Sequence, residues 1–156
     1  MPSSAQIARQ FRQVIFGGNW TAVDFKATLA DVTWEEALAR RGELNTIAIL
    51  VGHCHYYVRN VTKVLEGGPL EGKDALSFTH PPIQNTADWQ AMLAAFYEES
   101  ERFAQLVEAI PDTRWTEIFE QEKYGDYYRN IGGIIEHHHY HLGQIVWLKK
   151  WLRTSV

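Results

Sequence analysis

Four of the seven histidines of this 156-residue chain fall within residues 137–141. Histidine is the commonest metal ligand in proteins because its neutral imidazole presents a nitrogen lone pair. His137 and His141 are four residues apart, so in a helix both rings project from one face and can close on one ion. His53 and His55 lie in an earlier segment that is also expected to be helical. Three imidazoles from two helices would form an open metal site, in which solvent or substrate takes the remaining position.

The composition excludes several classes of protein and of site. The formal net charge is −4, and no basic stripe runs along the chain, so we do not expect a nucleic-acid partner. No apolar run approaches the roughly 18 residues that a membrane span requires, and no apolar signal core follows the first residues, so we expect a cytoplasmic protein. The single Cys54 excludes an internal disulfide and a multi-cysteine zinc cluster. If a metal binds, histidine must hold it.

Four long segments carry apolar residues at the 3.6-residue helical period, and none alternates as a strand would. The pattern predicts an all-α, four-helix bundle in a single domain covering residues 1–156. A short extra helical segment capped by Thr33 is expected after the first helix, within residues 20–41. Residues 67–86 are rich in Gly and Pro and predict a long loop. The predicted long helices cover residues 5–16, 44 or 45 to 65, a stretch capped by Thr86 that ends at Pro111-Asp112, and residues 130–152.

The histidines differ in their position around each predicted helix. His138 points almost straight at the apolar stripe of its helix, whereas His141 lies about 60° and His137 about 100° to the side. His53 lies about 100° from the apolar stripe of the second helix. Such flanks line the groove between helices, where an ion could be held with one position open. A lone histidine beside an apolar face is more often a hydrogen-bonded core residue, and spacing alone leaves His138 as a rival ligand.

Two segments resemble a known family. Residues 130–145 contain H-x-x-x-H followed directly by Leu142-Gly143-Gln144-Ile145, and residues 50–53 form an L-x-x-H segment. Both are similar to signature motifs of the DinB/YfiT-like metalloenzyme superfamily, and the resemblance covers most of the chain. It implies a four-helix bundle, often homodimeric, that holds a divalent ion, zinc or nickel in most cases, by three histidines.

Carried over residue by residue, the resemblance implies that the metal ligands are His53, His137 and His141. It gives no role to His55 or His138. An arginine of the family that follows the second motif histidine is replaced here by Leu142, which puts in doubt any substrate contact made by that arginine.

The resemblance also suggests a reaction, because characterised members of the superfamily use low-molecular-weight thiols as co-substrates. We therefore expect a metal-dependent thiol S-transferase acting on a small-molecule substrate, with Gln144 orienting a ligand or a water molecule. Trp20, Tyr56 and Tyr57 are expected as walls of the groove, and Asn60 shares the flank of His53. A metal-dependent hydrolase would look the same in sequence. A non-catalytic metal-binding stress protein and an interaction module with vestigial histidines are the two remaining interpretations.

The last helix is apolar on a second side. Tyr140, Trp147 and Trp151 lie nearly opposite the core stripe, and large aromatic residues at helical spacing often mark an interface. Together with the family resemblance, this pattern predicts a homodimer. The alternative is that residues 20–41 cover these aromatic side chains within one chain.

Overall fold

A computed structural model describes residues 3–154. Within that range the chain folds into α-helices joined by loops and short 3-10 turns, and the one β-bridge pairs Ile118 with Asp126. Three 3-10 turns lie in the loops at Asp74–Leu76, Asp112–Thr116 and Glu122–Tyr124. The α-helices are α1 (Ser4–Phe16), α2 (Phe25–Leu29), α3 (Trp34–Leu38), α4 (Ile47–Leu65), α5 (Thr86–Glu108) and α6 (Tyr127–Thr154).

The helices begin where short polar side chains can satisfy the free backbone N–H groups of a first turn. Thr33 accepts a hydrogen bond from the backbone of Glu36, whose side chain bonds back to the backbone of Thr33, and this capping box starts α3. The hydroxyl of Thr46 accepts the backbone N–H of Ile49 at the start of α4, and the side chain of Asn85 accepts that of Asp88 at the start of α5. The short extra helix that the sequence predicts at Thr33 is therefore present as α3, whereas the short helix α2 before it was not predicted.

The four long helices form a ring in which each contacts two neighbours. Helix α1 packs against α5 and α6, and α4 packs against the same two helices from the opposite side. The enclosed core is strongly aromatic, with Phe11, Phe96 and Phe103 fully buried at its centre. Helix α2 packs against α1 and α6, and α3 packs against α4. The all-α bundle predicted from the sequence is confirmed.

Several predicted helix ends are shifted by a few residues. The cap of α5 is Asn85 and not Thr86, which is the first residue of the helix. Helix α5 ends at Glu108, before the predicted Pro111, and α4 begins at Ile47. Helix α6 starts at Tyr127 and not at residue 130, because the carboxylate of Asp126 accepts the backbone N–H of the third residue of the helix.

The far end of α6 is fixed to the α2–α3 region by charged groups. The ammonium of Lys149 lies 2.5 Å from the carboxylate of Asp31, and the guanidinium of Arg153 bonds both Asp31 and Glu36 at 2.7–2.9 Å. These bonds lower the pKa of the Asp31 carboxyl, the hydrogen bond from Lys149 having the largest effect. Among residues 3–154, no helix combines the length and the apolar character that crossing a bilayer requires.

The segment between α4 and α5 folds back onto α4. An added Cβ at Gly52 would lie 2.5 Å from the carbonyl oxygen of Thr79, so only glycine permits this approach. The hydroxyl of Tyr56 donates to the carbonyl of Lys73 at 3.0 Å and accepts its N–H at 2.7 Å. The predicted loop is thus held against the helix that carries His53.

Candidate metal centre

Three histidine side chains from α4 and α6 converge in the groove between these helices. The Nε2 atom of His137 lies 3.0 Å from Nε2 of His53 and 3.0 Å from Nε2 of His141. One ligand atom from each of the three histidines can be chosen so that all lie within 4.8 Å of one another. Imidazole nitrogens around a tetrahedral zinc ion would be about 3.3 Å apart, given zinc–nitrogen bonds of about 2.0–2.1 Å. The spacing therefore matches the size of a small divalent cation.

Hydrogen bonds at the outer nitrogens fix which nitrogen of each ring faces the centre. The hydroxyl of Ser77 donates its only proton to the carbonyl of Asp74 at 2.6 Å, so at 2.9 Å it must accept the Nδ1–H of His53. The amide oxygen of Gln144 accepts the Nδ1–H of His141 at 2.7 Å. Both rings therefore present Nε2 lone pairs to the interior, the arrangement that outer-shell partners impose on metal-ligating histidines.

The protein alone leaves at least one of these two lone pairs unsatisfied. The Nε2 of His137 can donate a proton to only one of its two neighbours, so the lone pair of the other neighbour, also 3.0 Å away, is left without a hydrogen bond. The buried Nδ1 of His137 has no hydrogen-bond partner among the described residues. A cation at the centre would accept three lone pairs at once. The donor set therefore fits a divalent metal ion better than it fits a hydrogen-bonded cluster.

Burial keeps the three imidazoles neutral. It is the largest cause that lowers the pKa of His137 to about 4, with smaller contributions from His141 and His53. Burial likewise lowers the pKa of His53 and of His141. At neutral pH all three rings can therefore offer lone pairs to an ion without first losing a proton.

Aromatic residues surround the cluster on the side of α4. The ring of Phe78 stacks on His53 with centroids 4.1 Å apart. The ring of Tyr57 lies 5.0 Å from that of His53 and 4.8 Å from that of His137, and its hydroxyl donates to Asp74 at 2.6 Å. Burial and the neighbouring carboxylate raise the pKa of Tyr57 to about 12. Tyr57 thus remains protonated and holds the Asp74 carboxylate at the edge of the site.

The rival ligand His138 lies elsewhere, in the aromatic core. Its ring is fully buried, with the centroids of Phe11, Phe25 and Phe96 at 5.4, 5.7 and 6.2 Å. Its Nδ1 is 2.7 Å from the carbonyl oxygen of Ile134, one turn earlier, and its Nε2 has no partner among the described residues. His138 is therefore a core residue, and burial lowers its pKa to about 3.

The other histidines are also outside the cluster. His55 lies on the α5 side of α4, with its ring centroid 6.1 Å from that of Phe96. The Nδ1 of His80 lies 2.7 Å from the carbonyl of Pro81 in the following loop. His139 is half-buried. Neither His55 nor His80 is among the residues that could jointly hold an ion in the described part of the chain.

The structure places some of the remaining predicted residues at the histidine cluster or its cavity and others away from them. Gln144 contacts His141 directly, whereas Leu142 is buried in the core and leaves no polar group at that position. Tyr56 and Tyr57 line a cavity beside His137, as expected. The prediction for Trp20 is wrong, because its side chain is 99% exposed and does not line that cavity. Cys54 is fully buried, and burial raises the pKa of its thiol.

Three residues at the site were not predicted from the sequence: Asp74, Ser77 and Phe78. All three lie in the segment that composition identified only as a loop. The one available signal was an aromatic residue next to a serine within a stretch of Gly, Pro and charged residues. That signal is too weak to identify a contact with a histidine 24 residues earlier in the chain.

Comparison with known proteins identifies the family of the chain. No curated protein and no solved structure matches the chain at a significant level. A family model does match, over residues 19–145, and this range contains the three converging histidines and most of the bundle. The match covers well over half of the sequence. The chain therefore belongs to the DinB superfamily.

Proposed function

We propose that the protein binds one divalent cation, zinc or nickel, through His53, His137 and His141 and uses it as a metal-dependent thiol S-transferase. The observation that carries the metal site is the convergence of the Nε2 lone pairs of His53 and His141 on the Nε2 of His137, with Ser77 and Gln144 fixing the outer nitrogens. The transferase activity is supported by the family, whose characterised members use low-molecular-weight thiols.

A divalent cation bound there would supply Lewis acidity that lowers the pKa of a thiol or a water molecule near it. The residues of the chain would bind the cation, orient its ligands and cover the site. The three imidazoles hold the cation, Ser77 and Gln144 orient two of them, and the rings of Phe78 and Tyr57 cover one side of the cluster. A cavity of about 420 Å³ beside His137, bordered by Tyr57 and Asp74, offers room for a small molecule.

The proposed reaction is a substitution at an electrophilic carbon. The sulfur of a low-molecular-weight thiol forms a bond to that carbon with its own electron pair. The bond from the carbon to a halide breaks, and the halide leaves with the bonding pair. The proton of the thiol passes to solvent, so charge and atoms balance without an oxidant or a reductant.

A second candidate function is hydrolysis, and one observation favours it. The carboxylate of Asp74 borders the same cavity as His137 and could accept a proton from an attacking water molecule. Thiol-independent hydrolysis of an ester or amide that is lost in Asp74→Asn, with the metal retained, would favour the hydrolase over the transferase.

Metal analysis of protein purified without a tag tests the site. We expect about one divalent ion per chain and loss of tight binding in His137→Ala and in His141→Ala. Two neighbouring histidines, substituted in His139→Ala and His138→Leu, serve as matched controls that should keep the ion. A full complement of metal in the double variant of His137 and His141 would refute the site. Loss of the ion in His138→Leu, with the ion retained in His137→Ala, would refute the ligand assignment.

The activity is tested by thiol consumption. Metal-loaded protein is supplied with bacillithiol, mycothiol or glutathione and a haloarene, and released halide is measured. We expect halide release that requires both the metal and the thiol and is lost in His141→Ala. Turnover that persists without any thiol would refute the transferase.

A further inference from the structure

The cavity beside His137 has a charged group at its far end. Helix α6 contributes Arg129, Gly133 and His137 to its lining, and these residues follow one another at intervals of four. Residues spaced by four lie along one side of a helix, so the three positions form a row that runs from Arg129 to the candidate metal centre. The row is about 12 Å long at 1.5 Å of rise per residue.

The guanidinium of Arg129 is exposed and has no ion pair within the described part of the chain. Its backbone N–H bonds Asp126, but no carboxylate of residues 3–154 forms an ion pair with its side chain. The one acidic residue in the lining is Asp74, whose carboxylate accepts the hydroxyl of Tyr57 near the histidines. The lining therefore carries a positive charge at Arg129 and a negative charge at Asp74, which is hydrogen-bonded to Tyr57 beside the histidine cluster.

The rest of the lining is mainly apolar or aromatic. Leu70, Phe119 and Ile134 contribute apolar surface, and Tyr56 and Tyr124 contribute aromatic rings. At Gly133, halfway along the row, a Cβ added to the backbone would meet nothing within 4 Å. The missing side chain leaves open space between Arg129 and His137, where the body of a ligand could lie.

We propose that this cavity binds a substrate with an apolar or aromatic body and a terminal anionic group, which Arg129 recognises. The reacting end lies at the histidine cluster, and the anionic group lies on the order of 10 Å away, as the length of the row requires. This inference rests on the proposed function, because it names the substrate class for that same site. Arg129 is its specificity-determining residue, since a guanidinium pairs with a carboxylate through two parallel hydrogen bonds.

The test is a binding titration that requires neither thiol nor turnover. The probe is 3-(4-chloro-3-nitrophenyl)propanoate, and its primary amide is the neutral analogue of the same shape. By calorimetry we expect the wild-type protein to bind the acid about tenfold more tightly than the amide, as one charge-assisted contact would give. Arg129→Gln should remove this preference, and Arg129→Lys should keep part of it. Equal binding of the two probes, no binding of the acid, or a preference that survives in Arg129→Gln would each overturn the proposal.

A second pair of variants tests where the probe lies. In Gly133→Leu the new side chain would fill the cavity, and we expect binding of the acid to fall at least about tenfold. Gly132→Leu is the matched control: it lies next to Gly133 in α6, an added Cβ there meets nothing within 4 Å, and it does not line the cavity. Wild-type binding in Gly133→Leu, or equal losses in the two variants, would overturn the proposal.

These results are separable from a failure of the proposed function. If the acid binds with the expected preference but no thiol-dependent halide release follows, only the transferase is refuted. If halide is released equally from the acid and the amide, and Arg129→Gln changes neither rate, the transferase stands and the assigned substrate class is refuted.

Discussion

Replacing Gln144 by leucine should weaken metal binding without unfolding the bundle. The amide oxygen of Gln144 accepts the Nδ1–H of His141 at 2.7 Å, and this bond keeps the Nε2 lone pair directed at the cluster. In Gln144→Leu the imidazole of His141 can rotate or change tautomer, and a metal ion must then restore its orientation. Loss of such an outer-shell partner costs 10- to 100-fold in metal affinity, which is about 1.4–2.8 kcal/mol.

The assay is competition for zinc or cobalt against a chromogenic chelator of known affinity. Gln144→Glu keeps an acceptor for His141 and should bind the metal at least as tightly as the wild type. Tyr140→Phe is the matched control, because it removes only the hydroxyl that Gln144 contacts at 3.3 Å and leaves the bond to His141 intact. A leucine variant with affinity within twofold of the wild type and an intact fold would refute the reasoning.

Three further predictions concern the support of the site, the pH dependence of stability and self-association. In Gly52→Ala the new Cβ would lie 2.5 Å from the carbonyl oxygen of Thr79, so the loop that orients His53 must move, and metal affinity should fall about tenfold in the same competition assay; unchanged affinity would contradict this. Lys149 and Arg153 lower the pKa of Asp31 in the folded state, so their pairing with Asp31 stabilises the fold above the unfolded pKa of about 4. The difference in unfolding free energy between wild type and Asp31→Asn, measured by urea unfolding, should therefore shrink as the pH falls below about 4. Equal differences at pH 7 and at strongly acidic pH would show that the charge of Asp31 is irrelevant. Trp147 is 54% exposed, and Tyr140 on the same helix is exposed too, so we propose that this face of α6 forms a homodimer. Light scattering should show a dimer for the wild type and a monomer for Trp147→Glu. A monomeric wild type at micromolar concentration would refute the dimer.

The helices of the bundle could be predicted because helix formation depends on sequence patterns that are local to each segment. Apolar residues at the helical period marked each long helix, and Thr33 marked the start of a short one. The shifted ends have local causes too, such as the carboxylate of Asp126, which starts α6 three residues before the predicted position. Cap residues compete closely along a polar stretch, so the pattern alone cannot choose among them.

The convergence of the histidines was predicted only in part. Helical geometry placed His53, His137 and His141 on the flanks of their apolar stripes, and the family resemblance selected them over His138. The supporting residues Ser77 and Phe78 depend instead on how a loop folds back onto α4. That path includes the close approach of Thr79 to Gly52, which a single sequence does not reveal.

Trp20, by contrast, was predicted at the site but does not lie there. A large aromatic residue near a predicted groove suggested a wall, but the residue is almost fully exposed. On α6, residues 20–41 leave Tyr140 and Trp147 open to solvent. Composition indicates that aromatic residues are available, but only the path of the chain decides which of them reach the site.

The most direct test of the metal centre is anomalous diffraction from a crystal of the untagged protein, measured above and below the absorption edge of the bound metal. We expect one strong peak per chain, about 2.0–2.1 Å from the Nε2 atoms of His53, His137 and His141. A peak placed instead at His138 or His139, or the absence of any peak in protein crystallised with excess zinc or nickel, would contradict the proposed site.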